Sequence, residues 1–404
     1  MSDPYYDPNE NPQDSGGPST PATPPPSDPS EATTLHWPDT TPPSVARPEE
    51  TGTEYFPDHH ASRSSHSSYS GWDGSLEPAA IPAPPNGTAA TATDRIRIAL
   101  WGAPRSGKTS YLAAMPIAAM QQQRQGRPNW VISGMNPESN EFLTSGVTQL
   151  ASDRVFPEAT VGVRSLSWSF QGEEAPNGSF RKRREVGFVL EVQDVAGEVY
   201  GKDTEHALRP RVLDQLTRSQ GLIYLFDPLL DAEQATNSFD FLYSMLNELN
   251  TRVRDAGRLH RNRLPHHVSV CVTKFDDPKV FRPAVEAGWV TQDSVGSRLP
   301  RVPAEQAAHY FQWLCDEFRG SNARLVRDGL LNFFHPQRIS YYVSSAIGFR
   351  LNPQHIFDYR NYLNVETVDR VPRICTSPVP INVLEPLTEL ESRIRAAGRR
   401  RRPW

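Results

Sequence analysis

The chain has 404 residues, of which 47 are acidic and 42 basic, for a formal net charge of −5. Its three cysteines, Cys271, Cys315 and Cys375, are odd in number and far apart, which excludes a disulfide framework and a paired thiolate metal site. No apolar run approaches the roughly 18 residues of a membrane span. The opening MSDPYYDPNENP has neither the basic nor the apolar part of a secretory leader, so the expectation is a cytoplasmic protein.

Residues 1–94 hold 18 of the 38 prolines, 14 acidic residues and only two basic ones, Arg47 and Arg63. Such a segment cannot bury enough apolar surface to offset the entropy of ordering it, and a disordered tail is predicted over 1–93. The run PATPPPSDPS within it suits an extended polyproline conformation that docks a partner, or equally a passive linker. The remaining residues carry 33 acids against 40 bases, so the overall charge joins a −12 tail to a +7 body.

Beyond the tail, β-branched runs alternate with longer amphipathic stretches, the pattern of an α/β domain with a mostly parallel sheet and helices on both faces. In chain order, a strand is expected over 95–101, then a helix over 108–123 that Pro116 should kink or interrupt. A short strand over 129–133 and a helix over 137–151 follow. Strands over 164–170 and 186–193 flank the polar segment QGEEAPNGSFRKRRE, whose Asn177-Gly178 marks an antiparallel hairpin. Next come a helix over 205–218, a strand over 221–226, a helix over 234–256 and a strand over 268–273. The segment 274–302 is rich in turn residues, lacks periodicity and reads as a surface excursion. Helices over 303–319 and 322–333 precede a strand over 338–343. Residues 348–381 read as irregular, and a helix over 382–397 closes a single domain spanning 94–398. The arginines of 399–404 form a basic end with no aromatic platform beside them, so there is no firm nucleic-acid signal.

Three motifs carry chemistry. In Gly102-Ala103-Pro104-Arg105-Ser106-Gly107-Lys108-Thr109-Ser110, a glycine-rich turn runs from a strand into a helix. Backbone amides and the helix N-terminus then point at a phosphate, Lys108 reaches the β- and γ-oxygens, and Thr109 offers a hydroxyl to Mg²⁺. Arg105 could lend charge in cis, but a solvent-facing position is the plainer reading. The second motif is Asp194-Val195-Ala196-Gly197-Glu198, at the end of a strand. Asp194 there can hold Mg²⁺ through water, and the Gly197 amide can meet a γ-phosphate, so that the loop is ordered by triphosphate and released without it. An ordinary strand-ending turn would have the same composition. The third is Thr273-Lys274-Phe275-Asp276, with Ser344-Ser345-Ala346 after the last strand. A carboxylate at Asp276 can accept from guanine N1 and N2, donors that adenine lacks. The stem of Lys274 would lie along the base, and the Ala346 amide could meet the guanine O6.

In this order the motifs resemble the signature of the Ras-like, translation-factor-related class of P-loop GTPases. The resemblance covers 95–346 and looks most like the bacterial double-GTPase type, given the extended 125–158 segment. It implies GTP and Mg²⁺ as ligands, with Lys108 on the phosphates and Thr109, Asp194 and a switch threonine on the metal. Thr160 fits that last place better than Thr144 or Thr148, which fall in a predicted helix. Glu198 stands where many relatives carry glutamine or histidine to orient water, and a carboxylate near a triphosphate implies slow hydrolysis. Thr273 replaces the commoner asparagine. The class also implies GDP as product and a protein effector or a second GTPase-like chain as partner. A P-loop ATPase is one rival, although Val195 stands where an acidic catalytic residue would be needed. The other rival is a nucleotide-bound scaffold that does not hydrolyse.

Overall fold

A computed structural model describes residues 95–124, 128–158, 163–174, 184–195, 205–233, 237–318 and 321–400. The expected tail over 1–93, the hairpin tip and the last four residues lie outside these. The strands are β1 (Ile96–Gly102), β2 (Trp130–Gly134), β3 (Val163–Glu174), β4 (Arg184–Val195), β5 (Gly221–Phe226), β6 (His267–Val272), β7 (Thr291–Gln292), β8 (Pro300–Arg301), β9 (Ile339–Val343), β10 (Val365–Val368) and β11 (Val371–Ile374). The helices are α1 (Lys108–Arg124), α2 (Pro137–Val147), α3 (Glu205–Arg218), α4 (Pro228–Glu233), α5 (Asn237–Asp255), α6 (Pro278–Glu286), α7 (Ala307–Trp313), α8 (Ser321–Phe333) and α9 (Glu385–Arg400).

Seven strands form one sheet in the order β2-β3-β4-β1-β5-β6-β9. Strands β4, β1, β5, β6 and β9 run parallel, and β3 runs against both of its neighbours. This is the mostly parallel sheet with one antiparallel hairpin strand that the patterning predicts. The interior strand β5, GLIYLF, is buried at every residue, as a strand covered on both faces must be. Its side chains divide the core. Leu222, Tyr224 and Phe226 pack with α3, α5, α6 and α8, while Ile223 and Leu225 pack with α1, α2 and α9. In β3, buried Leu166, Trp168 and Phe170 alternate with more exposed serines. Phe170 sits directly opposite Phe188 of β4, and their rings stack 4.5 Å apart. The Trp168 indole donates to the Ser139 carbonyl at 2.9 Å and so ties α2 to the sheet.

Several expectations need correction. Helix α1 runs unbroken through Pro116, because nearly every residue from Tyr111 to Ala119 is buried and packing outweighs the lost backbone bond. The helix expected over 234–256 is α5, and an unforeseen short helix, α4, precedes it: the Asp227 carboxylate accepts from the Leu229 amide at 2.9 Å at its start. The segment 274–302 is a surface excursion only over 286–298, which is exposed or half-buried; before it, α6 packs inward. Asp277 caps α6 by accepting from the Lys279 amide, Pro278 occupies the first turn, and Val280, Phe281 and Ala284 are fully buried. Nor is 348–381 wholly irregular. Phe349, Phe357 and Tyr362 pack around Phe281, and β10 and β11 form a two-stranded ribbon. Its turn places Asp369 and Arg370 in the left-handed region, at φ 49° and 63°. The three cysteines are free; Cys271 and Cys315 are buried and Cys375 is half-buried.

Candidate functional site

The loops after β1, β6 and β9 gather at the C-terminal edge of the sheet, where open α/β sheets bind ligands. The loop from β1 to α1 is a tight turn. Ser106 N donates to the Ala103 carbonyl at 3.2 Å, and Tyr111 N donates to Gly107 O at 2.9 Å, which opens the helix. A Cβ on Gly102 would sit 2.7 Å from Ser106 Oγ and 2.8 Å from the Leu225 carbonyl, so only glycine fits. Gly107 takes φ +86°, with no protein atom within 4 Å of where its Cβ would be. The space it leaves open faces the ligand side of the loop. Lys108, only 7% exposed, donates its ammonium to the Gly102 and Ala103 carbonyls at 3.1 and 3.0 Å. The Ser106 hydroxyl is buried and makes no hydrogen bond.

The second half of the site comes from β6 and β9. The Thr273 hydroxyl lies 3.2 Å from the carbonyls of both Ser106 and Phe226 and shares its proton between them, joining this loop to the phosphate loop. Lys274 takes φ 58°, and its ammonium meets the buried Asp227 carboxylate at 2.6 Å, which stretches the lysine stem along the wall. Phe275 N donates to Ser344 O at 3.1 Å. The Ser345 hydroxyl donates to Asp276 Oδ1 and accepts from Gly348 N at 2.7 Å. Burial pushes the Asp276 carboxyl up to about 6, against the opposing pull of that hydroxyl.

Arg105, Gly107 and Ser110 of the first loop, Thr273, Lys274 and Asp276 of the second, and Ser344 and Ala346 of the third line one cavity of about 520 Å³. The volume falls within the range of small-ligand sites. Arg105 is exposed at its rim. Thr109 lines a neighbouring cavity of about 410 Å³ with Glu138, Glu141, Glu158 and Arg164. Asp194 lies at the end of β4, which pairs in parallel with β1 up to Leu100 opposite Val192, so it shares the sheet edge with Gly102. Thr160, Gly197 and Glu198 lie outside the described residues. Thr144 and Thr148 both turn their hydroxyls to carbonyls of the preceding helical turn. Among the described residues, no three His, Cys, Asp or Glu side chains gather to hold a metal. The Thr109 hydroxyl is a hard oxygen of the kind that Mg²⁺ takes.

Sequence reasoning missed Asp227, which holds Lys274, and the apolar lining from Phe156, Leu229, Leu363 and Val365. Nothing in the spacing of these residues relates them to the motifs. Only Asp227, ending a wholly buried strand, carried a legible sign, because a buried carboxylate needs a partner.

The sheet order and the loop between β1 and α1 are those of a P-loop α/β fold. No protein-family model matches the chain, and no curated protein matches it. Among solved structures it is similar to the signal recognition particle receptor SRb-GTP/SRX complex from Chaetomium thermophilum. The identity is 14%, with 62% of this chain and 94% of that chain covered and a TM-score of 0.28. It is also similar to the S. cerevisiae Ski7 GTPase-like domain bound to GTP, at 10% identity over 66% and 46% of the two chains, TM-score 0.29. Sup35 complexed with GDP is similar at 10% identity over 65% and 41%, TM-score 0.26. The match spans less than half the length of the latter two. At these scores the likeness carries no weight for function, which is read from the site itself. No helix among the described residues is long and apolar enough to cross a membrane.

Proposed function

We propose that this protein is a Mg²⁺-dependent guanine-nucleotide switch with slow GTP hydrolysis, acting in intracellular signalling through a protein effector or a second GTPase-like chain. One observation carries the reading: the phosphate-loop motif and the two loops of the third motif, TKFD and SSA, line a single cavity, with the Asp276 carboxylate fixed by Ser345. In this reading Lys108 leaves the Gly102 and Ala103 carbonyls for the β- and γ-phosphate oxygens, exchanging neutral acceptors for charged ones. First-turn amides of α1 face the β-phosphate. Asp276 accepts from guanine N1 and N2, the Ala346 amide meets O6, and the Lys274 stem, held by Asp227, lies along the base.

Thr109, Asp194 and Thr160 would hold Mg²⁺, which when bound neutralises charge on the phosphates. The Gly197 amide meets the γ-phosphate and Glu198 orients the attacking water. Glu198 is repelled by the triphosphate it serves, so turnover is slow without a partner. The test is equilibrium binding of GTP and ATP to the full chain with Mg²⁺, beside Asp276→Asn. The expected result is a preference for GTP that the variant loses. Equal or tighter ATP binding in the unsubstituted protein overturns the guanine assignment.

A further inference from the structure

One wall of the nucleotide cavity comes from none of the three motifs. Leu363, Asn364 and Val365, leading into β10, line it. Asn364 is only 2% exposed and is spent on the protein. Its Nδ2 donates to the Ile347 carbonyl at 3.2 Å, immediately after Ala346. Its Oδ1 accepts from the amide and hydroxyl of Thr376 at 2.9 and 2.8 Å. The foot of the β10-β11 ribbon is thereby clamped to the loop at the base end of the site. Leu363 beside it remains 40% exposed, a large apolar side chain standing at the cavity. The far strand of the ribbon is fastened as well. Val155 bridges Arg373, and Ile374 N donates to Arg154 O at 2.8 Å. The Arg154 guanidinium donates to the Cys375 carbonyl at 3.0 Å.

A two-stranded ribbon has little stability of its own. These fastenings therefore set its place, and they set it against the cavity. We infer that residues 362–376 form a retaining wall for the bound nucleotide, in which Leu363 covers the base-and-sugar end and limits the rate at which the nucleotide leaves. The inference rests on the guanine-nucleotide reading above. Leu363 acts by covering apolar surface of the ligand, and a lost contact of this kind is felt mainly in dissociation. Asn364 is the positioning residue that holds the wall to the Ile347 carbonyl.

The test uses the full chain with Mg²⁺. Radiolabelled GDP is bound and chased with unlabelled GDP, and pyrophosphate affinity is measured in parallel as a probe of the phosphate end alone. Leu363→Ser should release GDP about tenfold faster, the scale of one lost apolar pocket contact. Leu363→Met should restore the slow rate, and pyrophosphate affinity should be the same in all three proteins. Unchanged GDP release in Leu363→Ser overturns the wall. A parallel loss of GDP and pyrophosphate binding also overturns it, because the segment would then merely support the fold. Failure of the unsubstituted protein to bind GDP at all is a different result: it refutes the guanine-nucleotide reading, and the wall falls with it.

Discussion

The carboxyl of Asp276 should make guanine binding sensitive to mild acid where an ordinary aspartate would not. Its pKa is pushed from 3.8 up to about 6 by burial. Guanine N1 and N2 donate hydrogen bonds, so only the ionised carboxylate receives both. With a pKa near 6 the group is almost fully ionised at about pH 7.5 and only about one-tenth ionised at about pH 5, which weakens GDP binding about tenfold. An unshifted aspartate would change affinity by less than about a tenth over that interval. The assay is calorimetric titration of GDP with Mg²⁺ across the interval, on the unsubstituted protein and on Asp276→Asn. The diphosphate titrates in both, so the difference between the two profiles isolates the carboxyl. Parallel profiles would refute the reasoning. The effect on the nucleotide-free fold has the opposite sign. The folded-state pKa lies above the unfolded one, so this group stabilises the fold fully below about pH 4, and that contribution is lost as pH rises through about 6. The shift corresponds to at most about 3 kcal/mol.

Two further substitutions test other parts of the site. Gly107→Ala places a side chain at φ +86° in otherwise open space, so it should cost about 1–2 kcal/mol in thermal or denaturant unfolding while nucleotide binding falls much further. A loss of stability with unchanged GDP affinity would show that the open space beside Gly107 faces no ligand. Ser345→Ala removes the hydroxyl that opposes burial at Asp276, so the acid limb of GDP binding should move to higher pH. Titration of the variant against the unsubstituted protein checks this, and a limb that stays in place would count against the pair.

The sheet was legible because its cause is local. An unbroken apolar strand such as β5 and the alternation in β3 are written directly in the residues, and so is the order of the phosphate, TKFD and SSA loops. What escaped was decided by tertiary packing. Helix α6 is announced by Asp277-Pro278, but its aromatic partners Phe349, Phe357 and Tyr362 lie about 70–80 residues downstream, so its burial has no local signature. The β10-β11 turn uses Asp369-Arg370 where glycine or asparagine would ordinarily announce it, and so leaves no turn signal. Pro116 misled for the converse reason, since a helix enclosed on its buried face tolerates a breaker that would end an exposed one. Within the site, the motif residues of the phosphate, TKFD and SSA loops that line the cavity were readable, whereas the apolar lining from Leu229 and Leu363 was not. The residues that hold the motifs in place, Asp227 and Asn364, are joined to them only by folding.

The distribution of thiols has a practical consequence. Cys271 and Cys315 are closed to solvent, and half-buried Cys375 follows directly on the ribbon, its amide bonded to the Asn364 carbonyl at 2.9 Å. Burial raises the Cys375 pKa, so a smaller share of this thiol is ionised at neutral pH than of a free cysteine. With Cys271 and Cys315 closed to solvent, a mild alkylating dye would still mark a single atom of the native chain. The label would sit one residue beyond the ribbon that borders the cavity, where its fluorescence could follow occupancy without any cysteine being added or removed.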